Sequence, residues 1–106
     1  MSGWIYLFIA ILLEVSGTTC MKLSEGFSHI LPSVLLFVFY IASFYFMTLA
    51  LKTIDVSVAY AVWSGVGIAL ITLIGFFFFK ESLNFIKILS LLLIVIGIIG
   101  LHLQAK

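Results

Sequence analysis

Residues 56–79 read VSVAYAVWSGVGIALITLIGFFFF, and this stretch contains no charged side chain. A run of about 20 apolar residues crosses a hydrocarbon core about 30 Å thick when it forms a helix with a rise of about 1.5 Å per residue. Three more apolar runs of similar length lie at 4–21, 30–51 and 85–103. The sequence therefore predicts an all-α fold, a bundle of four transmembrane helices.

The composition supports a membrane protein. Hydrophobic residues make up 65% of the chain and charged residues 8%, whereas soluble domains are about half apolar and a quarter charged. In lipid every backbone group must be bonded internally, and the apolar runs are continuous rather than alternating, so helices are favoured over a barrel. The polar connections are short, and we expect residues 1–106 to form one transmembrane domain in the lipid bilayer.

Several classes of function are excluded by charge and by residue type. A net charge of +1 argues against a nucleic acid partner, because binding phosphates requires a basic patch. Cys20 is the only cysteine, so an internal disulfide and a cysteine-based metal site are excluded. No nucleophile–base pair stands out, and we expect neither an enzyme nor a cofactor or metal.

The orientation signal is weak. Lys52 and Lys106 lie on one side of the predicted membrane, and Lys22, Lys80 and Lys87 lie on the other. The positive-inside rule therefore gives almost no preference. Either a fixed orientation set by the one extra lysine or insertion in both orientations fits these charges.

The most informative residue is Glu14, which lies well inside the first apolar run. An ionised group at that depth costs at least about 2.5–3.5 kcal/mol. The only lysine or arginine within the four runs is Lys87, which lies at the edge of the fourth, so the carboxyl group must hold a proton or a cation from outside. A structural glutamate bonded to a neighbouring helix is the alternative interpretation.

Small, polar and aromatic residues share helical faces with this acid or recur on the next two helices. An acid with aromatic rings in an apolar cavity suits a lipophilic cation, since cation–π attraction is strongest where water is excluded. Packing of small residues between helices is the alternative for Gly17, and packing also competes for the aromatic rings. The predicted binding residues are Glu14, Tyr60 and Trp63, and the predicted cavity-lining residues are Ala10, Gly17, Thr18, Tyr40, Ser43, Phe44 and Ser64.

Two further pairs of small residues have predicted roles. Gly65 and Gly67 weaken the third helix and allow a bend, which in a transporter could act as a hinge; close packing is the alternative. Ser90 and Gly97 lie seven residues apart on one face of the fourth helix, a spacing that favours a helix–helix seam.

Four segments together resemble the small multidrug resistance transporters. They read EVSGTTCMK at 14–22, SEGF at 24–27, PS at 32–33 and AYAVWSGVG at 59–67. The similarity runs along the full chain, and the combination is specific although each piece alone is weak. The Gly-Thr-Thr that begins at Gly17 resembles the branch that exports quaternary ammonium compounds and other drugs, because the guanidinium-exporting branch usually has a tryptophan there.

The resemblance implies an antiparallel homodimer of dual topology in the bacterial inner membrane, a multi-pass protein that exchanges protons for hydrophobic cations. It implies that Glu14 of both subunits binds protons and drug in competition. It also implies that Tyr60 and Trp63 line the site and that the dimer makes contact around Gly97. The family often has glycine at both small positions of this seam. Here the first position is Ser90, whose side chain is still small.

Two other functions remain open at this point. One is a guanidinium or polyamine exporter of the same fold. The other is a non-transporting scaffold subunit, in which Glu14 binds a partner helix and no proton flux accompanies the substrate.

Overall fold

Four helices make up the chain in the computed structural model, which describes residues 2–104. They are α1 (Gly3–Leu23), α2 (Ile30–Ala50), α3 (Val56–Phe78) and α4 (Phe85–Gln104). The described residues contain no strand, and each helix is long and apolar enough to cross a membrane. The predicted all-α fold with four transmembrane helices is confirmed. Lys106, which was counted in the orientation signal, lies outside the described residues.

Polar side chains cap the starts of two helices, α1 and α4. The Ser2 hydroxyl accepts a hydrogen bond from the backbone N–H of Trp4 at 3.1 Å, which satisfies one of the free amides at the start of α1. Asn84 does the same for α4, since its Oδ1 accepts from the N–H of Lys87 at 2.8 Å. The β-branched residues of α4 do not prevent a helix, because a helix bonds its own backbone within the apolar segment.

Ser24 organises the tight connection between α1 and α2. It is 1% exposed; its hydroxyl donates to the Met21 carbonyl at 2.8 Å and accepts from the Phe27 N–H at 3.3 Å. Glu25, Gly26 and Phe27 all have left-handed backbone, with φ of 46°, 71° and 70°. Only the glycine adopts this region without a steric cost, so the serine bonds help to hold a sharp reversal.

The helices form two compact units. In the first, which ends at Ile54, α1 packs against α2. In the second, which begins at Asp55, α3 packs against α4. The connection between α1 and α2 is short, so these two helices run antiparallel, and the same holds for α3 and α4.

Much apolar surface remains outside the packed core. Residues such as Phe37, Ile41 and Phe77 are more than half exposed, and α4 contributes no buried residue at all among those described. In water such surface would be unfavourable, but in a bilayer it faces acyl chains as apolar as itself. The exposure therefore fits a protein whose solvent is lipid.

Candidate functional site

Glu14 lies midway along α1 and is half-buried. The Thr18 hydroxyl, one helical turn further on, donates to Glu14 Oε1 at 2.9 Å. Within residues 2–104, no basic side chain forms an ion pair with Glu14. The carboxyl group therefore has a hydrogen-bond donor but no counter-charge from the described part of its own chain.

Tyr40 of α2 extends this group of polar atoms. Its phenolic oxygen lies 2.7 Å from Thr18 Oγ1, and its ring stacks on Phe44 with centroids 6.2 Å apart. A Cβ added to Gly17 would lie 3.3 Å from the Tyr40 ring, which is tighter than most such contacts. Glycine at 17 therefore lets the tyrosine approach α1 closely, and this supports a packing role for Gly17 beside the predicted cavity.

Ala10 and Ser43 lie together in the contact between α1 and α2. Both are 0% exposed, and the Ser43 hydroxyl donates to the Ala10 carbonyl at 2.7 Å. That carbonyl is also the helical acceptor for the N–H of Glu14, four residues on. The bond thus fixes the helical turn that carries the acid, and in this state neither residue is open to a cavity.

Tyr60 and Trp63 form an aromatic pair in α3. Their rings meet edge to face, with centroids 5.6 Å apart and planes 76° apart. Tyr60 is 59% exposed. The indole Nε1 of Trp63 is buried and has no hydrogen-bond partner in the described chain, an arrangement that costs about 1–3 kcal/mol. The pair therefore provides an aromatic ring face for a ligand and one N–H that lacks an acceptor. Ser64 follows Trp63 directly in the sequence.

The predicted hinge and seam residues have different surroundings. α3 continues without a break through Gly65 and Gly67, and both are buried. A Cβ added to Gly65 would collide with Ile98 of α4 and lie 3.1 Å from Ile94. Gly65 therefore serves close packing in this state. On α4, Ser90 is exposed, and a Cβ added to Gly97 would meet no atom within 4 Å.

The structure thus brings predicted residues together in two groups. Glu14, Gly17, Thr18, Tyr40 and Phe44 meet in the first unit, and Tyr60 lies beside Trp63 in the second. Sequence reasoning missed Ile98 as the neighbour of Gly65, because an apolar residue in an apolar run carries no signal that names its partner.

The second unit also contains an apolar cavity of about 250 Å³ between α3 and α4. None of the predicted binding or cavity-lining residues faces it. Nor do residues 2–104 hold a group of three or more His, Cys, Asp or Glu side chains able to bind a metal. The cavity is lined by Ala69, Thr72, Leu73, Leu83, Ile88, Leu91, Leu92 and Val95.

A family model described as Small Multidrug Resistance protein matches residues 2–94. The chain belongs to the Small Multidrug Resistance family. It is 44% identical over 106 residues to the multidrug transporter EmrE of Escherichia coli strain K12, an alignment that covers 100% of this chain and 96% of that protein.

Two more relatives support the assignment. The quaternary ammonium compound-resistance protein QacE of Escherichia coli is 43% identical over 106 residues, covering 100% of this chain and 96% of the relative. An uncharacterised membrane protein of Bacillus subtilis, YvaE, is 56% identical over 101 residues, 95% of this chain and 85% of the relative. EmrE is named as a transporter and QacE as a resistance protein, neither of them an enzyme. With its four spans, this Small Multidrug Resistance protein is a multi-pass protein of the bacterial inner membrane.

Proposed function

We propose that this protein exports lipophilic and quaternary ammonium cations in exchange for protons, and that Glu14 binds either a proton or the drug. The observation that carries the proposal is an acid within a membrane span that pairs with no basic side chain of residues 2–104. An ionised carboxylate there needs a positive charge from outside. A proton or a drug cation can supply this positive charge. The two compete because both bind the same carboxylate.

The aromatic side chains account for the class of cation. Tyr40 and Phe44 are stacked in the unit that holds Glu14, and Tyr60 and Trp63 form a second pair. Aromatic faces attract organic cations, and the attraction rises when water is excluded. A small hydrophilic cation loses more hydration on entering an apolar site, which favours bulky lipophilic cations over guanidinium compounds. The relatives named for drug and quaternary ammonium resistance agree with this choice.

We further propose that the transporter is an antiparallel homodimer, which brings two copies of Glu14 to one site. The exposed face of α4 with Ser90 and the open space at Gly97 suits close packing against a second copy. The near-balance of lysines on the two sides supports insertion in both orientations. A cysteine placed in one loop should be labelled partially from each side of the membrane, whereas complete labelling from one side would contradict the antiparallel arrangement.

Alternating access needs the site to open to one side at a time. We propose that the Gly65-Val66-Gly67 segment of α3 supplies the bend for this change, with Gly65 closely packed in the state described above. The bend would let α3 move without breaking the aromatic pair that precedes it, since Tyr60 and Trp63 lie on the same side of the segment in sequence.

The experiment that tests competition is binding of a radiolabelled quaternary cation from pH 5 to 9, with proton release read in weak buffer. Affinity should fall as the pH falls, because protonated Glu14 carries no charge, and binding should release protons because linkage is reciprocal. Glu14→Gln keeps the shape without the charge or the titration, so it should abolish uptake driven by a pH gradient while the protein still folds.

Glu14→Asp is the matched control, because it keeps the charge and shortens its reach. It should still bind drug, with an altered pH dependence. An affinity that is flat across the pH range, or uptake against a gradient by Glu14→Gln, would contradict proton-coupled exchange. Cation binding without any proton flux in vesicles would instead favour a scaffold subunit.

A further inference from the structure

The apolar cavity between α3 and α4 has a lining that suits hydrocarbon. All of its lining side chains except Thr72 are aliphatic, and none is charged. The Thr72 hydroxyl donates to the Ile68 carbonyl at 2.7 Å, so its proton is not available to a ligand. A cationic drug would meet no carboxylate among these side chains. The chemistry of the lining therefore favours an apolar occupant.

The cavity runs along the helices, in the direction that a lipid chain takes in a bilayer. On α4 its lining extends from Ile88 to Val95, which is about 10 Å at the helical rise of about 1.5 Å per residue. Leu83, in the connection before α4, lines the end nearest the membrane edge. One leaflet is half of a hydrocarbon core about 30 Å thick, so the cavity begins at the edge and extends through most of one leaflet.

The size and the open side of the cavity also fit a chain of methylene groups. An apolar cavity of about 150 Å³ is enough to bind benzene, and this one measures about 250 Å³. Leu73 and Leu92 line it and are each about half exposed, so the cavity is a groove rather than a closed pocket. A flexible chain can lie along such a groove and gain dispersion contacts with its walls.

A positive charge lies at the membrane-edge end of this groove. Lys87 directly precedes the lining residue Ile88, and its ammonium group donates to the Ser82 carbonyl at 3.1 Å. The side chain thus extends from the first turn of α4 back towards the α3–α4 connection, as lysines do at membrane edges. An ammonium group has three donors. Within residues 2–104 Lys87 forms no ion pair, so its charge is available to an anion.

The acid nearest to this lysine in sequence does not neutralise it. The Glu81 carboxyl group lies against Gly75 of α3, where an added Cβ would collide with Oε1. Lys80, the neighbour of Glu81, is an exposed second cation. The α3–α4 connection and the first turn of α4 therefore carry two lysines and one glutamate. This end of the groove is net positive and complements an anionic head group.

From the lining, the direction and the charge we propose that the groove between α3 and α4 binds an anionic phospholipid. One acyl chain lies in the cavity, and the phosphate lies at Lys87. Hydrogen bonds between an ammonium group and a phosphate are charge-assisted and strong, and lysines near a membrane surface attract anionic lipids. The site is separate from Glu14 and does not depend on the transport that we propose above.

The test of the head-group site measures lipid binding to the purified full-length protein by native mass spectrometry. Phosphatidylglycerol and phosphatidylcholine with the same acyl chains are compared. The protein should bind phosphatidylglycerol about fivefold more tightly, the factor expected for one lysine near the lipid surface. Lys87→Gln keeps the length of the side chain without its charge and should remove most of this preference. Lys52→Gln is the matched control, because Lys52 lies in the first unit, and it should leave the preference unchanged.

A second pair of variants tests the acyl-chain site. Ala69→Leu adds three carbons to the wall of the cavity and should weaken binding of both lipids by about threefold or more, because the chain loses contacts. The preference for phosphatidylglycerol should remain, since Lys87 is retained. Ala42→Leu is the control at an alanine that is also half-buried but lies on α2. If Ala69→Leu does not fold, Leu92→Phe replaces it. Glycerol phosphate, which has no acyl chain, should not compete with phosphatidylglycerol.

Each part of the proposal can be overturned separately. Equal affinity for the two lipids, or an unchanged preference in Lys87→Gln, would overturn the head-group site, and competition by glycerol phosphate would show a site for free phosphate instead. Unchanged lipid affinity in Ala69→Leu would overturn the acyl-chain site, and an accompanying loss of dimer would assign the groove to a second copy of the chain. Displacement of the lipid by a quaternary ammonium compound, in the wild type and in Glu14→Gln alike, would assign it to drug.

Discussion

The two compact units of this protein hold their helices together by different kinds of contact. α1 and α2 are joined by hydroxyl groups, since Ser43 bonds the Ala10 carbonyl and Thr18 lies within hydrogen-bond distance of Tyr40. α3 and α4 are in contact through apolar atoms, with Gly65 packed against Ile98. Hydrogen bonds fix the register of two helices, whereas small-residue packing mainly fixes how near they come. The unit with the acid is thus the one with directional contacts.

The largest effect should come from adding a side chain at Gly65, where Ile98 leaves no room for one. Gly65→Val places atoms where Ile98 already lies, and overpacking a close contact costs about 1–3 kcal/mol. We expect a lower free energy of unfolding in an SDS titration and loss of uptake. Ile98→Val removes the terminal carbon that would collide, so Gly65→Ala combined with Ile98→Val should be more stable than Gly65→Ala alone.

Gly100 provides the control for that experiment. It lies in α4, and a Cβ added there meets no atom within 4 Å. Gly100→Ala should therefore be neutral or slightly stabilising, since alanine favours a helix. Equal destabilisation at 65 and 100 would show that the contact with Ile98 is unimportant.

A smaller effect is expected at Trp63, whose buried N–H has no hydrogen-bond partner in the described chain. If its ring attracts the drug, Trp63→Leu should weaken binding of an aromatic cation by about 1–2 kcal/mol. Trp63→Phe keeps a ring face and should retain part of the affinity. Equilibrium binding to purified protein measures the difference, and equal affinities in the two variants would indicate packing rather than cation–π attraction.

The smallest effect should come from Ser43→Ala in the first unit. Interhelical hydrogen bonds in membrane proteins contribute about 0.6 kcal/mol on average. Removing this donor leaves the Ala10 carbonyl with its helical partner. The free energy of unfolding in the same SDS titration should therefore fall by an amount near that average. Ser16→Ala removes only a local bond to Leu12 and should be close to neutral. A loss above about 2 kcal/mol at Ser43 would show that the register depends on this bond far more than we expect.

The number and class of the helices could be predicted because they depend on the local apolar runs. Helix ends were harder to predict. α1 continues to Leu23, although the apolar run at 4–21 ends two residues earlier. Lys22 is a good helix former whose long chain can reach the interface, so charge alone did not stop the helix. It ends instead where the Ser24 hydroxyl bonds the Met21 carbonyl.

The candidate site could be predicted in part. Depth in the membrane and the lack of a basic partner identified Glu14, and helical periodicity grouped Thr18 with it. Periodicity within one helix cannot give the register between two helices, so the approach of Tyr40 to Thr18 was not predicted. For the same reason the sequence left a bend and close packing as alternatives for Gly65, and it could not name Ile94 and Ile98 as the side chains that a Cβ at this position would meet.

The division into two hairpins has a consequence for biosynthesis. A ribosome adds about 5–20 residues per second, and units near the N-terminus fold first. The contacts among Glu14, Thr18 and Tyr40 all lie within the unit that ends at Ile54. The acid can therefore acquire its hydroxyl neighbours while α3 is still being translated. A carboxyl group that is costly in lipid thus gains polar neighbours early in membrane insertion.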